Sequence, residues 1–208
     1  MPDGETMLKH IELAGRTCYK SEDKITADSA AEFVRRVLRS GHHSVIEHMN
    51  ITVRFICDRG VTHELVRHRL AAYSQESTRY ANYSRDRFGN EITVIKPCFW
   101  PEGSQAYQDW FSAMAAAETA YMNLIQNGAR PEQARSVLPN SLKTEIVMTA
   151  NVREWRHVFN LRCSAAAHPQ IREIMLPLLS EFHDKIPVIF DDLYDQFKED
   201  MDAGIPSE

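Results

Sequence analysis

Apolar positions along the chain change their period several times, and each change marks an element. Residues 6–20 follow a helical repeat. So do 28–39, where Phe33, Val34, Val37 and Leu38 share a face and Gly41 stands just past the end. The period then drops to two. Met49, Ile51, Val53, Phe55 and Cys57 alternate with Asn50, Thr52 and Arg54, which predicts a strand over 49–57. A helical repeat returns over 60–70. Residues 71–90 are polar and aromatic, rich in Ser, Tyr, Asn and Arg, the composition of a functional loop. A short strand over 91–96 ends at Pro97.

The second half begins with a long predicted helix over 104–127, stopped by Asn127-Gly128. Pro131 suits the first position of a short helix that ends near Pro139. Thr144, Ile146, Met148 and Ala150 then fall on one side of a strand over 143–150. Asn151 reads as an N-cap with Glu154 as its capping-box partner, opening a helix through Leu161. Further helix is predicted from Pro169 onward and from 187 to about 200. Strands and helices mix without a βαβ rhythm, so the fold class is α+β, mixed helices around a small central sheet. Residues 1–208 are read as a single domain, a length that buries a core without disulfides or structural metal.

Composition narrows the function classes. Hydrophobic residues make up 43% and charged residues 25%, which excludes wholesale disorder. No apolar run approaches the ~20 residues of a membrane span. The first ten residues lack the apolar core and basic flank of a secretory signal, so the expected location is the cytoplasm. A net charge of −5 argues against binding nucleic acid through overall charge, though not against a local pocket for a small anion. Cys18, Cys57, Cys98 and Cys163 show neither CxxC spacing nor a zinc pattern and read as reduced thiols. GxGxxG, GxxxxGK[ST] and GxSxG are all absent. His63 and His68 are one residue too far apart for a zincin motif and would stand about 140° apart round a helix, so no metal is assigned.

Two segments concentrate anion-binding chemistry. In 67–80, Arg67, His68, Arg69 and Arg79 sit among Ser74, Gln75, Ser77 and Thr78. Arginine forks grip phosphate in a bidentate way, and loop hydroxyls and amides complete the cradle. In 151–162, Arg153 and His157 lie four apart on one helix face, with Arg162 near the end. Two Arg/His clusters in a chain without net positive charge point to concentrated anion recognition.

Arg67-His68-Arg69, seven residues, then Ser77 resembles the RHR-x7-S signature of the flavin-dependent thymidylate synthases. The segments Ser40–His48, Thr62–Val66, Ala134–Pro139 and Asn151–Arg162 resemble further blocks of that family, in order, and the likeness runs from about Ile11 to Ile189. The resemblance implies reductive methylation of dUMP to dTMP, with methylenetetrahydrofolate as carbon donor, NADPH as reductant and FAD as tightly bound cofactor. It implies a homotetramer with sites at subunit interfaces and no nucleic-acid or membrane partner. FAD would be held by Ser44, Arg67, His68, Arg69, Gln75, Asn151, Arg153 and His157. The dUMP ligands would be Glu64, Arg67, Gln75, Ser77, Thr78, Arg79, Arg135 and Arg162, with Arg162 the catalytic residue. His42 would lie beside flavin and folate. Two positions depart from the family pattern: His43 replaces the usual Glu, and Glu64 a frequent Gln, adding an anion and losing a donor. Ser77 reads as a ligand rather than a nucleophile, and Cys163 as an ordinary helical thiol. Two other readings stand beside this one: a metal-dependent hydrolase using His42, His43, His48, His63 and His68, and a non-catalytic nucleotide- or RNA-binding module.

Overall fold

The computed structural model describes residues 3–203. Among them the elements run α1 (Gly4–Arg16), α2 (Ser29–Arg39), β1 (Asn50–Asp58), α3 (Arg59–Leu65), β2 (Ala71–Gln75), α4 (Gln105–Gln126) and α5 (Pro131–Ala134). Then come β3 (Lys143–Asn151), α6 (Val152–Arg162), α7 (Pro169–Lys185) and α8 (Pro187–Ala203). The fold is mixed α and β with one small sheet, as the change of period predicted. The strand order is β1-β3-β2. Val152 N–H donates to Met49 C=O at 2.8 Å and Arg59 N–H to Leu142 C=O at 3.2 Å, so β1 and β3 run antiparallel. On β3 the predicted set Thr144, Ile146, Met148 and Ala150 is buried, and its neighbours are half-exposed.

Backbone contacts sort the described residues into two compact units. The first comprises residues 3–53, 68–72 and 149–203, the second 54–67 and 73–148. The first is organised by α6, α7 and α8. Trp155, Phe159, Phe182 and Phe190 form an aromatic core, with Phe182 centroids 5.3, 5.1 and 5.3 Å from the other three. Burying one such ring contributes roughly 1.5–3 kcal/mol. Trp155 Nε1 also donates to Ile51 C=O at 3.0 Å. Because Val152, Trp155, Val158 and Phe159 all face this core, Arg153, His157 and Asn160 are left exposed on the opposite side of α6. At the other end of the unit, α2 closes on Gly41 (φ +70°), with His42 N–H bonded to Val37 C=O at 3.0 Å. Only a residue free of a Cβ takes this left-handed cap readily, and it sets His42 and the following 3-10 turn, His43–His48.

The second unit packs Ala81, Tyr83, Ile92, Ala134 and Leu142 around the fully buried Tyr121 of α4. Tyr121 Oη accepts the Tyr83 N–H at 3.3 Å, which ties the loop after β2 to α4. Buried Ala134 anchors α5 and leaves the next residue, Arg135, at the surface.

Three expectations are corrected. The helix expected over 60–70 stops at Leu65, because the Tyr73 hydroxyl donates to Leu65 C=O at 2.6 Å and takes the acceptor that a further turn would use. The loop expected over 71–90 begins with β2. Its five residues show no apolar alternation because its inward positions, Ala71, Tyr73 and Gln75, are only half-buried and tolerate a polar side chain. The strand expected over 91–96 shrinks to one bridge, Val94 with Leu142, because the Ile92 N–H is drawn to the Glu118 carboxylate at 3.1 Å.

Candidate active site

The first turn of α6 is closed by Asn151, whose Oδ1 accepts the Glu154 N–H at 2.8 Å. The expected capping box is only half there. The Glu154 carboxylate lies 3.5 Å from His68 Nδ1 instead of reaching back to the cap. His68 is 5% exposed and Glu154 7%. On the other side of the ring, Arg162 Nε donates to His68 Nε2 at 3.0 Å. His157 meets His68 edge-on, with centroids 5.8 Å apart. Burial pushes the Glu154 carboxyl above the ordinary range, opposed by the charge of His157. Glu154 was absent from the sequence-derived set. Its spacing from Asn151 accounted for it as a cap partner and hid its place beside His68.

Of the other residues assigned to flavin, Ser44, Arg69 and Arg153 belong to the same unit. Arg153 is exposed and pairs with Glu47 at 2.5 Å. Ser44 and His42 are exposed and line a cavity of about 690 Å³, together with Arg16, Lys24, Phe33 and Arg36. The Arg16 and Arg36 guanidinium carbons stand 4.8 and 5.5 Å from the Phe33 ring centroid. Arg16 is held by the Glu12 carboxylate at 2.7 Å, so the charge open to an anion here comes from Arg36 and Lys24, and beside the Phe33 ring it suits an anion attached to a flat apolar body. Arg69 is exposed; His68 is not, and its ring faces protein groups on both nitrogens.

In the second unit the residues assigned to dUMP come together in part. Ser77 C=O accepts N–H groups from Tyr80 and Ala81 at 3.1 and 2.9 Å, and its Oγ accepts the Arg79 N–H at 3.3 Å, so residue 77 organises a turn. Thr78 is buried, and Arg135 Nη1 donates to its Oγ1 at 3.5 Å. Gln75 Nε2 donates to Thr62 Oγ1 at 3.0 Å and reaches Thr144 Oγ1 at 3.5 Å, which holds its amide in one orientation. Glu64 is half-buried in the last turn of α3, and its carbonyl accepts the Arg67 N–H at 3.3 Å. Arg67 is exposed.

The arginines themselves divide. Arg16, Arg54, Arg156 and Arg172 each hold a carboxylate, with bonds of 2.7, 3.0, 2.8 and 2.8 Å to Glu12, Glu145, Asp192 and Asp200. Among the described residues, Arg67, Arg69, Arg79 and Arg135 form no ion pair. Arg35, Arg36, Arg59 and Arg85 are unpaired as well; what marks the signature arginines is density, three within residues 67–79. With 29 acids in the chain, leaving these cations without carboxylates keeps them available for an external anion.

Other chemistries fit less well. Among the described residues, the grouping that could hold a metal is His68, Glu154 and His157, with ligand atoms within 4.8 Å of one another. The Arg162 guanidinium bonded to His68 opposes a cation there. None of His42, His43, His48 and His63 joins this group. The Cys163 thiol is fully buried, and burial pushes its pKa up to about 12, so it stays protonated and is no nucleophile at neutral pH. No helix among the described residues is long and apolar enough to cross a membrane.

The sequence model of one family, thymidylate synthase complementing protein, matches residues 4–188. The chain is 36% identical over 198 residues to a protein of Geobacter sulfurreducens named flavin-dependent thymidylate synthase, covering 92% of this chain and 82% of that one. It is 34% identical over 172 residues to a protein of the same name from Pyrococcus furiosus, covering 82% and 70%. A third, from Mycolicibacterium vanbaalenii, is 34% identical over 209 residues, covering 91% and 80%. An Arg/His-rich signature carried by unpaired arginines, within a match that runs through both units, places the chain in the thymidylate synthase complementing protein family, whose named relatives are flavin-dependent thymidylate synthases.

Proposed function

We propose that the chain methylates C5 of dUMP to give dTMP, with methylenetetrahydrofolate as carbon donor, NADPH as reductant and FAD as cofactor. The observation that carries this reading is the set of exposed arginines without carboxylate partners in the signature blocks. FAD and dUMP both bring phosphate oxygens, and bidentate guanidinium binding is the strong way to hold them. The residues fit such a group. Arg153, Arg69 and His157 are exposed cations or donors, and the cavity beside Ser44 and His42 offers positive charge and an aromatic floor. FAD, when bound, supplies the hydride relay from NADPH.

The remaining steps belong to the chain. Arg67, Arg79 and Arg135, with Ser77 and Thr78, take the dUMP phosphate and ribose; Gln75 is fixed by two threonines and presents one face of its amide. Glu64 contacts the ribose, where an anion costs less than beside the phosphate. Asn151, Arg153 and His157 serve the flavin from α6, with Arg67, Arg69, Gln75 and Ser44. His68 belongs to the same group, from a buried position. Arg162 faces the N3 edge of the uracil. Uracil C5 is a weak nucleophile, and negative charge gathered on N3 and its flanking carbonyls pushes electron density toward C5. A permanent cation stabilises that charge as it grows. The working form is a homotetramer in the cytoplasm, with each site drawing on more than one chain.

The visible spectrum of the purified protein tests this directly. Flavin absorption that bleaches with NADPH, followed by dTMP formation, is expected. A colourless protein with bound metal would leave the hydrolase standing, and dUMP binding without NADPH oxidation would leave the binding module.

A further inference from the structure

We propose that Glu154 is a positioning residue for Arg162 and acts through the His68 ring. Arg162 Nε is a donor at every accessible pH, so the His68 Nε2 that it meets at 3.0 Å carries the lone pair. In the neutral ring the proton is then on Nδ1, and Nδ1 faces Glu154 Oε1 at 3.5 Å. The other tautomer would set N–H against N–H at Arg162 and a lone pair against the carboxylate at Glu154. The doubly protonated ring would also lose the bond to Arg162. A carboxylate at Nδ1 therefore selects the single ring state that can accept from Arg162. Both partners are nearly enclosed, so little water competes for these contacts.

The geometry explains why an intermediary is used. Glu154 and Arg162 stand at opposite ends of α6, eight residues apart and about 12 Å along the axis, beyond direct contact. The Asn151 cap fixes the Glu154 backbone, and the aromatic core fixes the helix. His68 spans the remainder. A free arginine side chain samples many rotamers, and a bond at Nε holds the guanidinium plane before substrate arrives.

The inference rests on the reading that Arg162 acts on the uracil, and the experiment separates the two. Flavin-loaded wild type, Glu154→Gln, Arg162→Lys and the double variant are compared. The readouts are 15N ring resonances of His68 in histidine-labelled protein, flavin reduction by NADPH, and single-turnover dTMP formation from pre-reduced enzyme at saturating dUMP and folate. Wild-type His68 is expected to carry its proton on Nδ1. Glu154→Gln should slow dTMP formation roughly ten- to a hundredfold, with flavin reduction within about twofold, and the double variant should be no slower than Arg162→Lys alone. A proton on Nε2 in wild type, an unchanged rate in Glu154→Gln, or additive losses in the double variant would overturn the positioning role. If Glu154→Gln loses its flavin or its fold, Glu154→Asp decides, since it keeps the carboxylate: retention of the Nδ1 proton with a smaller rate loss supports the role, and its loss overturns it. If Arg162→Lys is itself as fast as wild type, the catalytic reading of Arg162 fails. The His68 resonances of Glu154→Gln then decide the relay alone, because only a working relay lets that variant redistribute the ring proton.

Discussion

In the first unit, Arg162 donates into the ring of a histidine that is 5% exposed, and a buried carboxylate sits behind that ring. In the second, Arg79 and Arg135 stand at the surface, Arg79 over the Tyr80 ring and Arg135 bonded to Thr78, and neither pairs with a carboxylate. Both regions hold cations, and they hold them differently. The α6 cation is oriented before any ligand arrives, which suits a group that must meet charge developing in a transition state. The loop cations keep their charge uncompensated, which suits the capture of a dianion already formed. Substitutions that alter one property and spare the other should therefore separate rate from affinity.

The largest effect is expected at Arg162. Lysine keeps the charge but loses the planar fork and the Nε bond to His68, so Arg162→Lys should slow single-turnover dTMP formation by about 10²–10³ with flavin content unchanged. A rate within a few-fold of wild type would erase the distinction between the regions. Next comes the loop. Removing one charge-assisted bond costs about 1.5–3 kcal/mol, so Arg79→Ala and Arg135→Ala should each raise the dUMP dissociation constant roughly ten- to a hundredfold, as read by calorimetry. The maximal rate at saturating dUMP should change much less. An equal fall in rate and affinity would show that the loop too acts on the reacting atoms.

A smaller effect is expected at Asn151. Asn151→Ala removes the α6 cap and should cost about 1 kcal/mol in denaturant unfolding, while Asn151→Ser keeps a cap oxygen and should recover most of it. If Asn151 also holds flavin, both variants should release it faster; if only alanine does, the residue serves the helix alone. The smallest stability effect is expected for the exposed Arg153–Glu47 pair, worth about 0–1 kcal/mol. Arg153→Ala and Glu47→Ala should unfold almost together with wild type, yet Arg153→Ala should retain less flavin. Equal retention in all three would remove Arg153 from the cofactor site.

Much of the fold was legible because burial repeats at a local period. β3 exposes and buries alternate residues as read, and α6 buries the face that Val152, Trp155 and Phe159 define. β2 was not legible, since its half-buried Ala71, Tyr73 and Gln75 alternate with exposed Ala72 and Ser74 but the residue types do not follow that alternation. The signature arginines were visible as residue types, but whether they were neutralised was not. An acid that pairs with an arginine can stand anywhere in the chain, as Asp192 does for Arg156.

The sequence by itself determined the family, the succession of helices and strands, and the places where anion-binding residues crowd together. Those are properties of neighbours along the chain and of residue order. Tertiary structure alone decided that Arg67, Arg69, Arg79 and Arg135 stay without carboxylates, that Cys163 is sealed and protonated, and that Glu154 turns from its cap toward His68. These depend on burial and on partners dozens of residues distant: His68 and Arg162 are 94 positions apart, and only the packing of α6 sets 3.0 Å between them.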